Sequence, residues 1–209
     1  MKRLFLTSSV NFVASDIAKK LNLNKGNKLV FITTASEYKA RDLSWQDEDR
    51  NSLVQAGFDV FDYTIIGKKQ KQLKEDLRGA DYIYVSGGNT FYLLEKAQES
   101  GFIKIIRDLI LKMGKIYIGT SAGSIIAGPD TYPAFRLDEV SKAPKIKGYK
   151  GFCLVDFTVL PHWGSDGFKD LYLNKRLNHA YNANNQLILL TDNQYIEVKD
   201  DWYRICEVR

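Results

Sequence analysis

Cysteine and histidine are scarce in this sequence, and long apolar runs are missing altogether. Its 209 residues contain two cysteines and two histidines. Cys153 and Cys206 stand far apart with no metal-ligand spacing, so they read as reduced core thiols of a cytosolic protein. No stretch approaches the roughly eighteen apolar residues that a membrane span needs. The N-terminal apolar run, Leu4-Phe5-Leu6, is too short for a signal-peptide core. Internal repeats, low-complexity tracts and linkers are also lacking, which leads us to expect one domain over residues 1–209, soluble and cytoplasmic.

Strong charge of one sign is missing too. The net charge is +5, which permits acidic or nucleic-acid partners without arguing for them. Lys68, Lys69, Lys71 and Lys74 read as the solvated face of a helix. Lys142, Lys145, Lys147 and Lys150, around Tyr149, read as the edge of an active site that draws acidic substrates. Neither a Walker lysine nor G-x-G-x-x-G spacing is present, so nucleotide binding is not expected. What is present is an ordinary globular composition, 44% hydrophobic and 26% charged, long enough to bury a core.

Strand and helix signals alternate over the first 120 or so residues. Strands are predicted at Lys2–Thr7, Lys28–Thr33, Phe58–Ile65, Tyr82–Val85 and Ile116–Ile118. Helices are predicted at Val10–Leu21, Asp42–Ala56, Lys69–Arg78, Phe91–Gln98 and Phe102–Lys112. This rhythm predicts an α/β fold, a mainly parallel sheet flanked by helices, with ligands at the carboxyl ends of the strands. Those ends carry Thr7-Ser8-Ser9, Thr33-Thr34-Ala35, Ser86-Gly87-Gly88-Asn89 and Gly119-Thr120-Ser121, small and polar as a crevice requires. Asp130–Lys150 reads as a long loop, Phe152–Leu160 as a strand and Phe168–Ala180 as a helix. Gln186–Leu190, Tyr195–Val198 and Trp202–Val208 read as a short antiparallel finish.

Gly119-Thr120-Ser121-Ala122-Gly123 fits the G-x-S-x-G nucleophile elbow, with a strand before and a short helix after. Small neighbours suit a strained, crowded turn, and the Ala122 N–H is placed to hold an oxyanion. On five residues alone a packing turn explains the pattern equally well. Ser124 falls inside the helix and lacks the elbow position.

A serine hydroxyl needs a base. His162 follows a strand at the carboxyl end of the sheet, whereas His179 sits late in a helix and reads as a surface residue. The base needs an acid to fix its tautomer. Asp192 follows the strand Gln186–Leu190, and Asp138 and Glu139 in the long loop are its rivals. Ser86-Gly87-Gly88-Asn89-Thr90 is the candidate for a second oxyanion donor, and Asn89 is expected to touch substrate.

Three blocks together, Ser86-Gly87-Gly88-Asn89-Thr90-Phe91, Ile118-Gly119-Thr120-Ser121-Ala122-Gly123 and Leu160-Pro161-His162, resemble the signatures of the S51 serine peptidases, the family of dipeptidase E. The resemblance implies a fold like class I glutamine amidotransferases, a Ser121 nucleophile, a His162 base and an oxyanion hole from the Gly88 and Ala122 amides. It implies a short peptide substrate, no cofactor and no metal. Asp192 stands where dipeptidase E is similar to a glutamate, and Asp138 lies near another acid assigned to the family's relay. Dipeptidase E prefers an N-terminal aspartate, held by an arginine after the histidine; Lys169, Lys175 and Arg176 occupy that segment here.

The sequence thus reads as a dipeptidase E-like serine peptidase, monomer or homodimer, with no nucleic-acid or membrane partner. Two alternatives remain at this point. One is a non-catalytic or regulatory small-molecule-binding domain of the same fold. The other is an alpha/beta-hydrolase-type esterase, whose chain order is Ser, acid, His rather than Ser, His, acid.

Overall fold

The computed structural model describes residues 1–23, 27–38, 42–135, 138–181 and 186–209. Five strands build the parallel part of a central sheet: β1 (Arg3–Thr7), β2 (Lys28–Ile32), β3 (Asp59–Tyr63), β4 (Tyr82–Val85) and β5 (Ile116–Thr120). β6 (Phe157–Leu160) and β7 (Gln186–Leu189) stand apart, and β8 (Gln194–Lys199) and β9 (Trp202–Glu207) complete the main sheet in the order β3-β2-β4-β5-β1-β8-β9. The β1–β8 and β8–β9 pairs are antiparallel and the others in that sheet are parallel.

Alternation of side chains explains why the sheet is covered on both faces. Leu4 and Leu6 of β1 join Val30, Ile32, Ile83 and Val85 in one core, while Phe5 joins Phe31, Tyr82, Tyr84 and Ile118 in the other. The first core is roofed by α3 (Gln70–Leu77), α4 (Thr90–Ser100), α5 (Phe102–Arg107) and α6 (Ala122–Ile126). The second is roofed by α1 (Ala14–Leu21) and α2 (Ser44–Gln55). Every predicted helix of this part is present. The first is broken at Val13, so that a single turn, Val10–Phe12, precedes α1. Both cysteines are unpaired and half-buried.

Two departures from the sequence reading matter for function. The strand expected over Phe152–Leu160 is confined to its last four residues. Before it, the chain threads beneath α6: Phe152 donates to the Ile126 carbonyl, and Cys153 adopts a left-handed φ of 50°. β7, expected in the antiparallel finish, instead pairs in parallel with β6, Leu160 facing Leu189. The antiparallel finish is therefore β8 and β9 alone. The long loop of residues 130–150 carries single helical turns at Tyr132–Ala134 and Val140–Lys142; residues 136–137 of it lie outside the described residues.

Candidate active site

Ser121 follows β5, and its backbone adopts φ 47° and ψ −109°. A non-glycine residue holds such a conformation only when its surroundings over-determine it. Here the Ser121 N–H donates to the Thr7 carbonyl, and the Ser121 carbonyl accepts from Ser124 and Ile125 as α6 begins. The glycines around it allow close packing. A Cβ on Gly119 would lie 2.7 Å from the Gly123 carbonyl carbon, and one on Gly123 would lie 2.0 Å from the Val85 carbonyl oxygen. The packing turn and the half-buried serine at its tip are thus one structure. Ser124 is fully buried and donates to the Thr7 and Gly119 carbonyls, which removes it from contention.

His162 and Asp192 arrive together because β6 and β7 run parallel and in register. The residues just past their carboxyl ends are Pro161-His162 and Thr191-Asp192. His162 Nε2 lies 3.0 Å from Ser121 Oγ, and His162 Nδ1 lies 2.8 Å from Asp192 Oδ1. The imidazole stacks on Phe168, centroids 4.5 Å apart. His162 is itself left-handed, with φ 65°. Its N–H donates to Ser8 Oγ at 2.7 Å, the Trp163 N–H to the Leu190 carbonyl, and the Tyr172 hydroxyl to the Pro161 carbonyl.

Asp192 is half-buried. Burial works to raise its pKa, but hydrogen bonds from His162, Ser165 and Ser8 and the charge of His162 outweigh it, bringing the carboxyl down to about 2. It is therefore a carboxylate at any ordinary pH. The rival Asp138 turns elsewhere: its Oδ2 accepts the Thr90 N–H at 2.8 Å, and burial pushes its pKa up. The other rival, Glu139, is exposed and pairs with Lys142.

The Gly87-Gly88 turn closes on the serine from the β4 side. A Cβ on Gly87 would lie 3.4 Å from both Ser121 Cβ and the ring of Trp45. Gly88 has φ 133°, and a Cβ there would lie 2.3 Å from the Ala35 carbonyl oxygen, so only glycine fits. Asn89, expected at the substrate, is instead the N-cap of α4. Its Oδ1 accepts the Tyr92 N–H at 2.9 Å and its Nδ2 donates to the Glu139 carbonyl at 3.0 Å. A cap satisfied at both ends shapes the turn rather than facing solvent.

Lys169 and Lys175 are exposed, while Arg176 is fully buried. Its Nε donates to the Pro133 carbonyl and its Nη1 to the Tyr172 hydroxyl, leaving Nη2 without a hydrogen-bond partner among the described residues. His179 is not the surface residue expected: its ring stacks on Tyr132 at 4.3 Å, and its Nε2 is buried. Sequence reading also missed Ser8 and Ser165 as partners of Asp192; only the small polar residues past β1 hinted at the first. Among the described residues no cluster of metal-ligating side chains occurs, and no helix is long and apolar enough to cross a membrane.

A hydroxyl, an imidazole and a carboxylate aligned past the carboxyl ends of a mainly parallel α/β sheet define the class of serine hydrolases. Comparison with known proteins narrows the class. The model of peptidase family S51 matches residues 4–206, and the chain belongs to that family. An uncharacterized peptidase of Listeria monocytogenes is 31% identical over 199 residues, 95% of each chain. Peptidase E of Haemophilus influenzae is 30% identical over 118 residues, 52% of this chain and 51% of its own. A crystal structure of a candidate peptidase E from Listeria monocytogenes superposes with a TM-score of 0.88 at 29% identity, covering 100% of both chains. The family and these relatives make the chain a serine peptidase for short peptides.

Proposed function

We propose that Ser121 is the nucleophile, His162 the general base and Asp192 the acid that orients it. The observation that carries this reading is the unbroken chain Ser121 Oγ, His162 Nε2, His162 Nδ1, Asp192 Oδ1, with links of 3.0 and 2.8 Å. His162 takes the Ser121 proton as Oγ attacks the scissile carbonyl. The Gly88 and Ala122 amides hold the oxyanion. His162 returns the proton to the leaving amine, and water, deprotonated by His162 in turn, releases the acyl group. The scheme uses no metal or other cofactor, so turnover survives a chelator. The same reading covers one domain over residues 1–209, acting in the cytoplasm as a monomer or homodimer.

The acyl-side residue of the substrate is an N-terminal aspartate in this reading. Of the cations on the segment just after His162, Lys169 and Lys175 are exposed, while Arg176 is fully buried beside the charge of Asp138. A dipeptide panel varying the N-terminal residue tests this. Asp-X peptides should be preferred, and Ser121→Ala should abolish their hydrolysis. Equal rates for Asp-X and Ala-X peptides would refute it.

A further inference from the structure

The proposed nucleophile and base stand on different sheets. Ser121 follows β5 of the central sheet, whereas His162 and Asp192 follow the strands of the small β6–β7 sheet. Their alignment therefore depends on what ties the two sheets at this point. One side chain reaches across. Ser8 follows β1, which pairs with β5 so that Thr7 faces Thr120; Ser8 and Ser121 are thus neighbours at the same sheet end. Ser8 is fully buried. Its Oγ donates to Asp192 Oδ1 at 2.6 Å and accepts the His162 N–H at 2.7 Å.

We propose that Ser8 is a positioning residue, tying the His162–Asp192 pair to the sheet that carries Ser121 and fixing the imidazole with its proton on Nδ1. This rests on the Ser121–His162–Asp192 reading above.

The argument is one of donors and acceptors. A hydroxyl has one proton and two lone pairs. The Ser8 proton lies on Asp192, so a lone pair faces the His162 backbone N–H. Ser8 Oγ also lies 3.4 Å from His162 Nδ1, where it serves as a weak second acceptor for an Nδ1–H. If Nδ1 carried a lone pair, it would face the Asp192 carboxylate at 2.8 Å and the Ser8 oxygen at 3.4 Å with no proton between the ring nitrogen and either oxygen. The arrangement therefore selects the Nδ1–H tautomer, which leaves Nε2 to accept from Ser121. Ser8 also holds the backbone of a left-handed, non-glycine residue, for which such support is needed. Phe168 fixes the plane of the ring, and Ser165 holds the other carboxylate oxygen, but both follow β6; neither belongs to the central sheet.

The test compares Ser8→Ala with Ser9→Ala and Ser121→Ala, using steady-state dipeptide hydrolysis and ring-nitrogen NMR. Only two histidines are present, and His179→Gln assigns their signals. Ser8→Ala should lower kcat about 10–100-fold with KM held within about twofold, the effect expected for losing a hydrogen bond to a charged group. It should also turn a pure Nδ1–H signal of His162 into a mixture of tautomers, which a merely structural change would not do. Ser9→Ala should match wild type. If Ser121→Ala is inactive while Ser8→Ala keeps wild-type kcat and an unchanged His162 signal, the positioning role is overturned and the nucleophile stands. If Ser121→Ala retains turnover, the underlying reading fails instead. Should Ser8→Ala not fold, an Nε2–H tautomer in the wild-type protein still overturns the proposal, and an Nδ1–H tautomer supports it.

Discussion

Asp192 and Asp49 are both aspartates drawn out of bulk water, one past β7 at the candidate site and one on α2 behind the sheet. Asp192 falls to about 2, whereas Asp49 rises from 3.8 to about 7. Burial raises both, and the difference is the company each keeps. Asp192 accepts from His162, Ser165 and Ser8 and feels the imidazole's charge. Asp49, 3% exposed, has the Tyr84 hydroxyl at 2.7 Å and the Asn11 backbone, and Glu48 nearby repels its charge. A few uncharged donors do not offset nearly complete desolvation; several donors and a cationic partner offset a partial one. The site is thus built to keep a charge, and the region under α2 to shed one.

Isosteric amides at the two positions should separate these roles most widely. Asp192→Asn should lower kcat about 10³–10⁴-fold by presenting His162 in the wrong tautomer, as amide substitution of a triad acid does elsewhere. Asp49→Asn should leave dipeptide turnover essentially unchanged. Equal losses from both would break the comparison.

Stability against pH gives the next largest effect, with opposite signs at the two positions. The folded pKa of Asp49 lies above its unfolded value, so the native state binds the extra proton. Stability should fall as pH rises from about 4 to about 7, by on the order of 4 kcal/mol. Asp49→Asn should flatten that slope in urea titrations; an unchanged slope would assign the dependence to other groups. Tyr84→Phe removes a buried hydroxyl partner and should destabilise the fold by about 1–3 kcal/mol near neutral pH. A neutral result would mean that the Tyr84–Asp49 bond does not hold α2 to the sheet. The smallest effect lies in acid. Asp192 has a lowered folded pKa, so its contribution is complete above about pH 4 and disappears as pH falls through about 2. Asp192→Asn should remove that acid-range loss, readable by the same titrations.

The chain read without coordinates shows much of this. Alternating strand and helix signals place the parallel sheet, and Ser121, His162 and Asp192 each stand just past a strand. The β6–β7 pairing was hidden, because a short apolar strand such as Gln186-Leu187-Ile188-Leu189 looks the same whichever neighbour it joins. For the same reason Ser8 and Ser165 looked like ordinary loop serines; their partners lie 184 and 27 residues away. The capping role of Asn89 is not legible in the sequence, because a helix cap and a substrate contact use the same residue type at the same turn. The scarcity of histidine worked the other way: with His179 stacked against Tyr132, only His162 stands beside the serine.

The central claim is that His162 activates Ser121 for attack on a carbonyl, and fluorophosphonate labelling tests it most directly. The wild-type protein should be labelled once, at Ser121, with labelling lost in Ser121→Ala and greatly slowed in His162→Ala. Labelling that persists in Ser121→Ala, or that proceeds at the wild-type rate without His162, would contradict the account.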